Sequence, residues 1–162
     1  LHFTPRLFRQ LERAGHTILP VTLHVGLGTF APVTADHLAN NTLHTEYYRI
    51  SPLSARRLQR AKKEGRPIIA VGTTVARTLE SATKGGRVRA GSSMTNIFIR
   101  PGYRWKFVDG LITNFHVPYS SLLMLVASLV GEREWKTIYK TALRSDYRFL
   151  SFGDGMFIKP VI

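Results

Sequence analysis

Residues 111–131, LITNFHVPYSSLLMLVASLVG, constrain this chain more than any other stretch. A short apolar strand runs into the polar corner Thr113-Asn114-Phe115-His116, turns at Val117-Pro118 and restarts as a helix. Pro118 has no N–H for a ladder, and it pushes the residue before it out of the α region. Ser120 reads as the helix cap and Gly131 as the left-handed stop. From Leu122 to Val130 the helix offers no polar stripe wide enough to face water, so it belongs in a core. About ten residues cannot cross a bilayer, which needs about 20. Asn114 and His116 are therefore fixed where a strand ends and a helix with free amides begins, a recurrent place for ligand sites.

The 162 residues read as a single α/β domain spanning 1–162, with a mixed sheet flanked by helices. There is no cysteine, which excludes disulfides and thiolate metal sites, and no metal is expected. Lys and Arg number 23 against 10 Asp and Glu, a net charge of +13 that favours an anionic partner. Arg56, Arg57, Arg60 and Lys63 on one helix, with Arg100 and Arg104 flanking a turn, are the candidate phosphate contacts. The competing reading is a merely soluble basic face. No secretory signal or spanning segment is visible, and the chain reads as a piece of a longer, cytoplasmic protein.

Thr4-Pro5, with Leu7, Phe8 and Leu11, predicts a capped amphipathic helix ending at Gly15. Residues 17–25 predict an edge strand, given Pro20, with His24 facing away from its aliphatic neighbours. Gly26 and Gly28 loosely match a dinucleotide fingerprint, but Pro32 interrupts any helix there, so a tight loop exposing amides is the better reading. Residues 42–50 predict a strand that puts His44 and Glu46 on one face, either as a proton-sharing pair or as a polar pair facing solvent. Ser51-Pro52 opens a helix with Ala55, Leu58 and Ala61 inward, closing at Gly65. Residues 66–71 are expected to form a short buried strand that Gly72-Thr73-Thr74 turns into a helix bearing Arg77 and Glu80. The threonine pair offers hydroxyls and free amides to a carboxylate, phosphate or ribose, or serves only as the cap. Residues 84–93 are expected to be a loop that stays mobile until a partner binds, and residues 95–99 and 104–108 to form a hairpin. Residues 134–143 predict a helix with Trp135, Ile138, Tyr139 and Leu143 inward; a terminal strand follows Gly153-Asp154-Gly155, a bend exposing Asp154.

Seven motifs in this order and spacing resemble one family. They are Leu1-His2-Phe3-Thr4, the segment from Thr22 to Phe30, His44-Thr45-Glu46, Ala70-Val71-Gly72-Thr73-Thr74 with Arg77 and Glu80, Phe98-Ile99-Arg100-Pro101-Gly102-Tyr103, Thr113-Asn114-Phe115-His116-Val117-Pro118, and Tyr147-Arg148-Phe149 with Gly153-Asp154. The family is the S-adenosylmethionine:tRNA ribosyltransferase-isomerase of queuosine synthesis. The resemblance implies a transferase and isomerase that needs no prosthetic group and uses S-adenosylmethionine as co-substrate. Its tRNA partner carries 7-aminomethyl-7-deazaguanine at the wobble position, and the product is epoxyqueuosine-tRNA, with adenine and methionine released. It further implies a Rossmann-like fold, an inserted β-barrel that this chain lacks, and an N-terminal half preceding Leu1. His24, His44, Glu46, His116 and Asp154 match the family as acid–base candidates. Gly72, Thr73, Thr74, Arg77, Asn114, Tyr147 and Arg148 match as substrate-binding ones. A monomer is expected, with no membrane partner. The chain departs from the family pattern at Asn41, where a histidine is usual, and at Ser121, Leu150 and Gly155. The rivals are a truncated, inactive tRNA-binding module, which +13 would suit, and a methyltransferase, whose glycine-rich turn and acidic residue are not clearly present.

Overall fold

A computed structural model describes residues 2–26, 28 and 31–159. Leu27, Thr29 and Phe30 of the glycine loop, and Leu1 of the first motif, lie outside the described residues. The elements run α1 (Pro5–Arg13), β1 (Thr22–Leu23), α2 (Ala35–Asn40), β2 (Thr42–Ile50), α3 (Pro52–Lys63), β3 (Ile69–Val71), α4 (Thr73–Ala82), β4 (Thr83–Lys84), β5 (Arg87–Val88), β6 (Gly91–Ile97), β7 (Gly110–Asn114), α5 (Ser121–Val130), α6 (Glu132–Arg144) and β8 (Gly155–Ile158). One sheet, β1-β2-β6, is antiparallel. The other, β3-β7-β8, is mixed: β3 runs parallel to β7 and β8 antiparallel to it. This is the expected mixed α/β fold, and no closed barrel forms among the described residues.

The helix boundaries follow their caps. Thr4 accepts from the Leu7 amide, Ser51 from Ser54 and Ser120 from Leu123. Proline stands in the first turn of α1 and of α3. Ala55, Leu58 and Ala61 are the buried stripe of α3, as their spacing requires. Burying Leu58 alone contributes about 1.5–3 kcal/mol. α5 joins two cores. Leu125 and Val126 enter the main cluster with Ile50, Ala70, Phe107 and Leu111, while Leu123 packs with Phe115, Tyr139 and Ala142.

Four expectations are corrected. Only Thr22–Leu23 of residues 17–25 is strand. Pro20 lacks a donor, and beyond Leu23 a single bond from the His24 amide to the Tyr47 carbonyl (2.8 Å) continues the pairing. The loop at 84–93 is ordered: Gly85 and Gly86 both have positive φ, as a primed two-residue turn needs, so β4 and β5 close a hairpin and β6 starts at Gly91. Residues 95–99 and 104–108 do not pair, because β6 is taken by β2. The amides of Lys106, Phe107 and Val108 instead donate to the fully buried Glu80 carboxylate, at 2.9, 2.9 and 3.0 Å. The Tyr103 hydroxyl adds a fourth donor at 2.9 Å. Finally, Leu143 is 69% exposed, and Ala142 takes the inward place on α6.

Candidate functional site

The parallel pairing of β3 and β7 places the carboxyl ends of both strands on one edge. Val71 stands opposite Ile112, and the Gly72 amide extends the ladder by donating to the Ile112 carbonyl at 2.8 Å. The turn into α4 and the corner after β7 therefore start side by side. Antiparallel β8 sets Gly155 opposite Asn114, which carries Asp154 to the same edge. Three segments far apart in sequence thus meet at a cleft of about 740 Å³, as expected at the strand ends of an open α/β sheet.

Gly72, Thr73, Thr74, Asn114, His116, Arg148 and Asp154, all read as site residues, line this cleft together. The Asn114 side-chain amide donates to the carbonyls of Asp154 and Gly153, at 3.3 and 3.4 Å, and meets His2 Nε2 at 3.3 Å. His116 is held at both ends. Its amide donates to the Tyr139 hydroxyl at 2.9 Å, and its Nε2 lies 2.8 Å from Thr113 Oγ1. Burial among these groups pushes the His116 imidazole down to about 4, so near pH 7 it is neutral and holds a proton only weakly.

The segment 148–154 is closed on itself. The Arg148 amide donates to Asp154 Oδ2 and the Asp154 amide to the Arg148 carbonyl, both at 2.7 Å. Leu150 sits at φ 68° with its amide on the Phe115 carbonyl, a left-handed conformation that a leucine rarely adopts. A Cβ on Gly153 would strike the carbonyls of Arg148 and Phe149, so glycine is required there. The loop keeps the Asp154 carboxylate about 38% exposed at the cleft wall.

Other predicted residues lie elsewhere. The chain shifts register between Thr42 and Glu46, and this irregularity separates the two groups expected to share a face. The His44 ring is exposed, 5.1 Å from the ring of His37 and against Gly28, where a Cβ would collide with it. Glu46 is 2% exposed; it pairs with buried Arg77 at 2.5 Å and accepts from the Gly26 amide at 3.2 Å. The expected His44 and Glu46 couple is thus replaced by a Glu46–Arg77 pair tying β2 to α4. His24 packs edge-on to Tyr47 at 5.1 Å, and Tyr147 lies against Phe115 at 5.6 Å. None of His24, His44, Glu46, Arg77 and Tyr147 lines the cleft as described.

Arg56, Arg57, Arg60 and Lys63 form an exposed basic face on α3, and Arg104 is exposed near the half-buried Arg100, whose guanidinium stands 5.5 Å from the Phe98 ring. Arg60 bonds Glu64 at 2.6 Å, so the neighbouring carboxylate offsets part of its positive charge. Among the described residues no group of three or more His, Cys, Asp or Glu is placed to hold a metal, and no helix is long and apolar enough to cross a membrane.

Sequence reading did not single out His2, Thr113, Tyr139 and Ser151 as site residues. Thr113 and His2 stood within quoted motifs and carried that much signal. Tyr139 showed only a core periodicity, and its hydroxyl's bond to His116 comes from α6 packing under the corner.

The family model described as Queuosine biosynthesis protein matches residues 1–158. The chain is 52% identical over 160 residues to the S-adenosylmethionine:tRNA ribosyltransferase-isomerase of Heliobacterium modesticaldum, covering 98% of this chain and 46% of that protein. It is 51% identical over 159 residues to the protein of the same name from Desulfitobacterium hafniense, covering 98% and 47%. A crystal structure of S-adenosylmethionine tRNA ribosyltransferase from Thermotoga maritima matches with a TM-score of 0.78 at 37% identity, over 97% of this chain and 50% of that one. The chain spans about half the length of the curated relatives it matches.

Proposed function

We propose a function from one premise: this chain belongs to the Queuosine biosynthesis protein family. It is a single catalytic-type domain of a cytoplasmic, monomeric S-adenosylmethionine:tRNA ribosyltransferase-isomerase, and its cleft takes S-adenosylmethionine. The ribosyl group is transferred to the amine of 7-aminomethyl-7-deazaguanine at the tRNA wobble position and isomerised, giving epoxyqueuosine-tRNA with loss of adenine and methionine.

The observation that carries this reading is a neutral, buried histidine in the same cleft as a partly exposed carboxylate and an open helix N-terminus. The sulfonium acidifies the protons on the 5′ carbon, so a base must stand there, and adenine departs more easily with a ring nitrogen protonated. His116 is the base and Asp154 the group that handles the proton at adenine. Asn114 and residues Gly72, Thr73 and Thr74 hold the ribose or methionine end. Glu46 and Arg77 act as positioning residues by fixing α4 and the loop at Gly26, and His24 and His44 lie on the flank that this loop shares. The α3 face with Arg100 and Arg104 meets the tRNA backbone.

The test is incubation of the chain with S-adenosylmethionine and the modified stem-loop, with adenine and methionine measured. Release that His116→Gln abolishes supports the reading; S-adenosylhomocysteine as product refutes it. The exposed charge of α3 favours one second reading, a tRNA-binding module without chemistry. It predicts stem-loop binding that falls steeply with salt and no adenine.

A further inference from the structure

We propose that the first turn of α4 is the subsite for the carboxylate of the amino-acid end of S-adenosylmethionine. The assignment rests on the functional reading above and narrows the methionine-or-ribose role of this turn to one charged group.

The turn is an unfilled donor set. The Gly72 amide is used by Ile112, and the Gly72 carbonyl accepts from Val75 and Ala76 at 3.1 and 3.2 Å. Thr73 and Thr74 are the next two amides of the helix, and among the described residues neither has an acceptor. Gly72, at φ 94°, has no side chain with which to cap them, and the first turn of this ten-residue helix holds no acidic residue. Two orphan amides and the positive end of the helix dipole are left at the cleft wall.

Thr73 is the independent sign of a ligand. It is 7% exposed and lines the cleft, yet its hydroxyl makes no hydrogen bond among the described residues. Within this otherwise buried residue the hydroxyl oxygen keeps some exposure, so it can be reached from the cleft. One hydroxyl and two amides on adjacent residues match an oxyanion. The surrounding walls select which one. Val71, Ile112, Val117 and Leu122 line the same cleft and suit a methylene chain. Arg148 is the single Lys or Arg among the described lining, which is poor provision for a tRNA phosphate. In S-adenosylmethionine the carboxylate is the one anionic group.

The experiment titrates the ¹⁵N-labelled chain with S-adenosylmethionine, with its decarboxylated analogue and with the unmodified tRNA stem-loop. The expected result is large shifts of the Thr73 and Thr74 amides with S-adenosylmethionine, binding of the analogue at least tenfold weaker, and no such shifts with the stem-loop. Thr73→Val should weaken S-adenosylmethionine severalfold and leave the analogue's Kd unchanged, with Thr73→Ser restoring affinity and the amide spectrum reporting the fold. Equal affinity for the two ligands, or a stem-loop that shifts the same amides, overturns the subsite. Absence of S-adenosylmethionine binding, with L-methionine still shifting Thr73 and methioninol not, leaves the subsite standing and removes the substrate reading. Silence of Thr73 and Thr74 to every carboxylate overturns the subsite.

Discussion

Glu80→Gln tests how the segment before β7 is held. In the native protein one carboxylate, fully buried, accepts four bonds: Oε1 from the amides of Phe107 and Val108, Oε2 from the amide of Lys106 and the hydroxyl of Tyr103. A glutamine keeps one oxygen. With its nitrogen on the Oε2 side, the Tyr103 hydroxyl rotates to accept and the Lys106 amide is orphaned, at about 1–3 kcal/mol. The surviving bonds pass from charge-assisted to neutral, losing about 1 kcal/mol each. Relief from burying a charge returns part of this. The net expectation is a loss of about 2–4 kcal/mol, a urea midpoint lowered by about 1–2 M for a slope near 2 kcal/mol/M. Glu80→Ala should lose more, since all four donors are stranded beside a cavity. Equilibrium urea unfolding by far-UV circular dichroism reads the effect. Tyr103→Phe, made in both backgrounds, should cost about 1 kcal/mol in the native protein and less in Glu80→Gln. A Glu80→Gln protein as stable as the parent would refute the four-donor account.

The remaining predictions concern the cleft and the basic face. Burial lowers the folded-state pKa of His116 to about 4 from the usual 6.5, so the unfolded chain binds the extra proton between these values. Stability from this group is full above about pH 6.5 and falls by up to about 3 kcal/mol as pH drops to about 4; His116→Gln should flatten that part of the urea-midpoint profile. Tyr139→Phe removes the acceptor of the His116 amide and should cost about 1–3 kcal/mol, with adenine release reduced while stem-loop affinity is kept. Gly153→Ala should open the loop 148–154, seen as loss of hydrogen-exchange protection at the Asp154 amide, because the Cβ meets two carbonyls. Replacing Arg56 and Arg57 by Glu should weaken the stem-loop and lower the salt slope of log Kd, with the S-adenosylmethionine Kd unchanged.

Where local chemistry decides, the sequence was readable. Ser120, Pro118 and Gly131 bounded α5, the stripe Ala55, Leu58 and Ala61 faced inward on α3, and Gly72 turned β3 into α4. The cleft itself was legible to the extent that Asn114, His116 and the threonine pair stood at strand ends. What failed was decided at long range. The irregularity between Thr42 and Glu46 breaks a period of two that the residues alone suggest, and Arg77 from another element captures Glu46. The supposed hairpin of 95–99 with 104–108 was lost because β2 pairs with β6, and three amides of the second arm turn instead to Glu80, a helix carboxylate 26 to 28 residues away. Tyr139 gave no polar signal, because a tyrosine at a core spacing looks the same whether or not its hydroxyl finds an amide.

The most direct measurement is a crystal structure of this chain with S-adenosylmethionine bound. The account predicts the ligand in the cleft at the ends of β3 and β7, with its carboxylate on the Thr73 and Thr74 amides and its 5′ carbon facing His116. Ligand density beside Gly28 and His44, with the β3 and β7 edge empty, would contradict it.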